Sequence, residues 1–144
     1  MNYLINEAQF TLPDAAVQDA SINILKFAHL GTTLVVSRSP LADGETLRSS
    51  FEAQLKTLEQ QETYLRYSPV QAIKVGTAQD VDAYEVQNSF NKGSDSFYQY
   101  QLALQLPGTR RLIALSYVKT QPLGPAEAAH WATLKSTLNC FAAP

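Results

Sequence analysis

A chain of 144 residues with 45% hydrophobic and 17% charged side chains has the size of one domain and enough apolar material for a core, which excludes a disordered segment. Eleven Lys and Arg against 13 Asp and Glu give a net charge of -2, so there is no basic field to hold nucleic acid through its phosphates. A lone cysteine, Cys140, forms no internal disulfide, and with two histidines, His29 and His130, it falls short of the usual zinc ligand set.

No apolar run approaches the roughly 20 residues needed to cross a bilayer. Met1 to Phe10 lacks the basic and apolar regions of a signal peptide, so residues 1–144 are expected to form a single cytoplasmic domain that is not membrane-embedded. Phe10 to Pro13 reads as a short extended piece stopped by its proline, and Asp14 to Ala20 as a polar, small-residue connection. Ser21–Phe27 and Thr32–Arg38 are rich in β-branched residues around Gly31, the pattern of an antiparallel hairpin.

Asp43 and Glu45 are placed to start a helix over 45–61, with Asp43 as cap. Leu47, Phe51, Leu55 and Leu58 form one apolar stripe on it, and Arg48, Glu52, Lys56 and Glu59 face away. Tyr64–Tyr67, Ile73–Val75 and Asp82–Phe90 are strand candidates. Ser96–Leu106 alternates along its whole length, and Pro107-Gly108 turns it into Arg111–Val118. Gly124-Pro125 opens a second helix carrying Ala128, Trp131, Leu134 and Leu138 near one face. The expected fold is α+β, an antiparallel sheet with packing helices.

The alternation divides 96–106 into two faces. Tyr98, Tyr100, Leu102, Leu104 and Leu106 form a large apolar face expected to meet both helices, while Phe97, Gln99, Gln101, Ala103 and Gln105 form a second face with no charge. The first hairpin adds Ile22, Ile24, Val35 and Ser37 to that second face. A solvated outer face would carry Lys, Glu, Thr or Arg, so this surface requires a cover. The cover is either a partner or a second layer such as the N-terminal segment or a twin subunit. Small, hydroxyl and amide groups among aliphatic ones also resemble the interior of a membrane-helix bundle.

Catalytic constellations are weak. Cys140 and His130 have no spacing that specifies an attack geometry, and Asp80 with Asp82 or Glu59 with Glu62 are pairs that any acidic chain offers. The six glycines form no GxG or phosphate-binding loop, so no catalytic residue, metal or cofactor is expected.

Phe10 to Leu58 resembles the DcrB-related family and, more narrowly, the effector-associated chaperones of bacterial type VI secretion. The residues that carry the resemblance are Leu12-Pro13, Asp19-Ala-Ser-Ile22-Asn, Leu34-Val-Val-Ser-Arg38 and Leu41-Ala-Asp-Gly44-Glu45, with Val75-Gly76-Thr-Ala78 and the Gln-rich strand at 99–105 agreeing in order further on. The resemblance implies a Mog1/PsbP-like fold and a non-catalytic homodimer. That dimer would cradle the N-terminal transmembrane helices of a PAAR-containing effector before loading onto the secretion spike. The expected client surface, inferred from strand parity, is Ile22, Ile24, Val35, Ser37, Gln99, Gln101 and Ala103, with Leu65 as an addition. The alternative is a regulatory or scaffolding protein that binds a folded partner through the same sheet face.

Overall fold

The computed structural model describes residues 1–14, 16–61 and 63–141, together with the backbone but not the side chains of Thr63 and Tyr64. Glu62, one of the acidic pair with Glu59, lies outside the described residues. Asn2–Leu4 (β1) and Gln9–Thr11 (β2) pair as a small hairpin separate from the main sheet. The main antiparallel sheet contains Asn23–Phe27 (β3), Thr32–Pro40 (β4), Thr63–Tyr67 (β5), Gln71–Val75 (β6), Val81–Lys92 (β7), Asp95–Gln105 (β8) and Arg111–Lys119 (β9). Its order is β3-β4-β9-β8-β7-β5, and β6 also pairs with β7. The two helices are Leu47–Gln61 (α1) and Pro125–Thr137 (α2).

The strands follow the sequence reading with small changes at their ends, and β1 was not foreseen from the sequence. The β3–β4 turn closes through the Gly31 amide, which donates to the Phe27 carbonyl at 2.9 Å with Gly31 at φ 67°, a conformation that costs glycine nothing. α1 is capped by Thr46, not by the expected Asp43. The Ser49 amide donates to Thr46 Oγ1 at 3.1 Å and the Thr46 amide to Ser49 Oγ at 2.9 Å, a reciprocal arrangement in the manner of a capping box.

The placement of α1 corrects the sequence reading in a second respect. The two helices lie on opposite faces of the sheet. On one face α2 seats Trp131 against Tyr100 and Tyr117, over Leu34, Leu102, Leu104 and Leu115. Trp131 Nε1 and Lys135 Nζ both donate to Glu85 Oε2 at 2.7 Å, tying the helix to β7. The end of α2 is held by the β6–β7 turn, where the Gly76 amide donates to the Lys135 carbonyl at 2.9 Å. A Cβ at Gly76 would stand 3.2 Å from the Leu138 carbonyl oxygen, so the turn approaches this closely because it has none. On the other face Leu47, Phe51 and Leu55 of α1 pack on Val86, Ala103 and Leu112, with Leu41 completing the cluster. Tyr67 on β5 reaches Glu59 of α1 at 3.2 Å. Both faces of β8 are therefore core over part of its length, which is why it carries large or small apolar residues on either parity.

Candidate functional site

The register aligns most of the expected client residues. Ile24 stands opposite Val35, Val35 opposite Ser116, Ser116 opposite Gln101, and Gln101 opposite Val86. The next row of the same face runs Ser37, Ala114, Ala103, Tyr84. Ile24, Val35, Ser37, Gln99, Gln101 and Ala103 thus share a face, and Ile22 immediately precedes β3 at the same edge.

That face is divided by α1. The helix contacts β5, β7 and β8 and reaches β9 at Leu112, and on this face it leaves β3, β4 and the 114–118 end of β9 largely uncovered. The division sorts the residues. Ile22 and Ile24 are 61% and 60% exposed, and Val35, Ser37 and Gln101 are half-buried. Gln99 and Ala103 are buried, at 6% and 4% exposure, and offer almost no surface to a partner, Ala103 because it packs under α1. Leu65 lies on β5, at the opposite end of the strand order from β3, and the structure does not bring it to the others.

Between α1 and the open strands runs a groove of about 250 Å³. Ser37, Ala114, Ser116 and Gln101 line it from the sheet, and Gln54, Thr57, Leu58 and Gln61 line it from the helix. Among the described residues, none that lines it is charged. Along α1 the lining positions are spaced i, i+3, i+4 and i+7, one stripe of the helix, while Arg48, Glu52, Lys56 and Glu59 point to solvent. Sequence reasoning found Leu58 and missed the rest of this stripe, whose signal was an uncharged run at helical spacing beside the apolar one. It also missed Ser116 and Ala114, which the parity of β9 would have placed.

The polar groups of the site form a short network. Asn88 Nδ2 donates to Gln101 Oε1 at 2.7 Å, so the Gln101 amide N–H groups remain available to a group in the groove. Asn88 is 3% exposed, and its Oδ1 has no partner among the described residues. The groove can therefore cover an aliphatic surface and satisfy hydroxyl or carbonyl groups on it.

The residues weighed for catalysis have structural surroundings. His130 Nδ1 is 2.7 Å from the Tyr117 hydroxyl, and its ring meets Phe27 edge-on at 4.5 Å. Burial raises the Tyr117 hydroxyl above its ordinary pKa, and burial likewise pushes up the Cys140 thiol, which packs against the α2-side core. A larger open cleft of about 850 Å³ lies at the start of α1, where Arg48 pairs with Glu52 and Lys74 with Asp82. Among the described residues no group of three or more His, Cys, Asp or Glu is arranged to hold a metal ion, and no helix is long and apolar enough to cross a membrane.

These features define an α+β protein with a two-sided sheet and an uncharged groove beside its first helix. The chain belongs to the DcrB family, whose family model matches residues 7–137. It is similar in fold to a Pseudomonas aeruginosa protein of unknown function described as a candidate regulator. The TM-score is 0.76 and the identity 20%, over 99% of this chain and 98% of that one. No curated protein matches it.

Proposed function

We propose that this protein is a non-catalytic cytoplasmic chaperone and adaptor, acting as a homodimer. Its role is to shield the N-terminal transmembrane helices of a PAAR-containing type VI secretion effector until the effector is loaded onto the spike. The observation that carries the reading is the groove lined by Ser116 and Gln101, whose row Val35 and Ile24 continue across the sheet beyond it. A transmembrane helix out of lipid needs its aliphatic surface covered and its interhelical polar contacts replaced, and this row supplies both kinds of group. The dimensions agree. Three strands span about 10 Å at roughly 4.8 Å per spacing, the width of one helix. β4 and β9, nine residues each, run about 30 Å, the thickness of a bilayer core.

Co-expression with an apolar helical segment from a PAAR-type effector tests this reading. The segment should stay in the supernatant with the wild-type chain and precipitate with Ile24→Asp. Precipitation with both would overturn the chaperone reading in favour of the second one, a regulatory or scaffolding protein that binds a folded partner through the same face. That second reading draws on the description of the Pseudomonas aeruginosa neighbour as a regulator.

A further inference from the structure

Of the ten large apolar side chains that stand exposed among the described residues, eight fall within the first 25 positions. Six of these eight form two groups. Leu4, Ile5 and Phe10 belong to the N-terminal hairpin, and Ile22, Ile24 and Leu25 to the β3 edge of the sheet. A hairpin with strands of three residues is at best marginal alone and needs an apolar surface to rest on. Within its own chain the hairpin packs mainly on itself, with Tyr3 and Phe10 rings 5.5 Å apart. Its root is fixed. Tyr3 Oη donates to Asp19 Oδ2 at 2.8 Å, the Ser21 amide donates to Asp19 Oδ1 at 3.0 Å, and Arg38 donates to the Ser21 carbonyl at 3.0 Å. These bonds hold the arm at the start of β3 with its apolar side chains uncovered.

The charges are complementary. Residues 1–20 contain Glu7, Asp14 and Asp19 and no Lys or Arg. On the open half of the sheet, the positions sharing the parity of Ile24 in β3, β4 and β9 carry one charged side chain, Lys26. An acidic apolar arm and an apolar strip with a single cation suit one another, and each chain carries one of both.

We propose that the N-terminal hairpin of one copy lies against the β3 edge of a second copy, and reciprocally, in a two-fold dimer with two identical arm-to-sheet contacts. The partner's arm then forms the outer wall of the groove whose inner wall is α1, so the site is complete only in the dimer. The arm covers Ile22 and the outer edge of β3 and leaves Ile24, Val35, Ser37, Ser116 and Gln101 to an occupant. This inference rests on the dimeric part of the proposed function alone, and the co-expression test can fail without touching it.

Sedimentation velocity on the full chain tests the inference with two variants, Leu4→Asp/Phe10→Asp in the arm and Ile22→Asp on the sheet edge. All three positions are exposed, so thermal unfolding should stay near wild type. The wild type should sediment as a dimer, and each variant should dimerise roughly tenfold or more weakly. Mixing the two variants should restore dimers, because the intact arm of one meets the intact edge of the other. A monomeric wild type, or variants that dimerise as well as the wild type, would overturn the inference. So would a mixture that stays monomeric, since that outcome marks an arm-to-arm or edge-to-edge contact.

Discussion

Gln101 links the groove to the core, and removing its amide gives a prediction whose size the structure sets. In Gln101→Leu the Asn88 Nδ2 donor loses its 2.7 Å acceptor, and Asn88, 3% exposed, already has an unpaired Oδ1. A buried amide left with neither end paired costs about 1–3 kcal/mol. For a chain of this length that is a fall in Tm of roughly 3–9 °C, at about 3 °C per kcal/mol. Replacing both partners removes the orphaned groups together, so Asn88→Leu/Gln101→Leu should recover at least half of the loss. Ile24→Asp, at a position 60% exposed, should shift stability by no more than about 0.5 kcal/mol while abolishing client rescue. Urea unfolding of the wild type, Gln101→Leu, Asn88→Leu and the double variant, read by far-UV circular dichroism, yields the double-mutant cycle. If Gln101→Leu unfolds with the wild-type midpoint, or if the double variant loses the full sum of the two single losses, the pair is not a coupled buried contact and the reasoning fails.

Other consequences follow from the same contacts. Glu85→Ala strips Trp131 Nε1 and Lys135 Nζ of their shared acceptor and should cost about 1–3 kcal/mol with a red shift of Trp131 fluorescence. Glu85→Gln, which keeps an acceptor for the indole, should cost less, and equal losses would refute the bond-by-bond account. The Asp19 carboxyl is held down to about 2 by hydrogen bonds from Ser21 and Tyr3. Because the folded value lies below the ordinary carboxyl value of 3.8, the arm's root is intact above that pH and weakens as pH falls from there towards 2. An NMR titration of the Asp19 carboxyl with its midpoint at or above 3.8 would count against the tie. With its thiol pKa raised by burial, Cys140 should react with a thiol reagent more slowly in the native protein than in urea at pH 8, and equal rates would contradict its packing against the α2-side core.

Much of the site was legible because strand parity is a local property. Given an extended backbone, Gln99, Gln101 and Ala103 must share a face of β8, and Ser37 must share one with Val35. The hairpins closed by Gly31 and by Pro107-Gly108 set Ile24 opposite Val35 and Gln101 opposite Ser116, and the β4–β9 pairing, which no turn fixes, brought the two pairs into one row. Leu65 shows the limit of the same reasoning. Nothing in Thr63–Tyr67 states that this strand joins β7 at the far side of the sheet, because strand order is fixed by contacts between distant segments.

The amino-acid sequence by itself determined which segments are strands and helices, which residues share a face, and that one face lacks charge, since each follows from local backbone geometry and side-chain type. Only the tertiary structure decided which face each helix covers. An apolar stripe requires burial without naming its partner, and both faces of β8 could accept one. The choice to lay α1 on the uncharged face buried Ala103, left Ile24 open, and made a groove from the helix's own Gln54, Thr57 and Gln61.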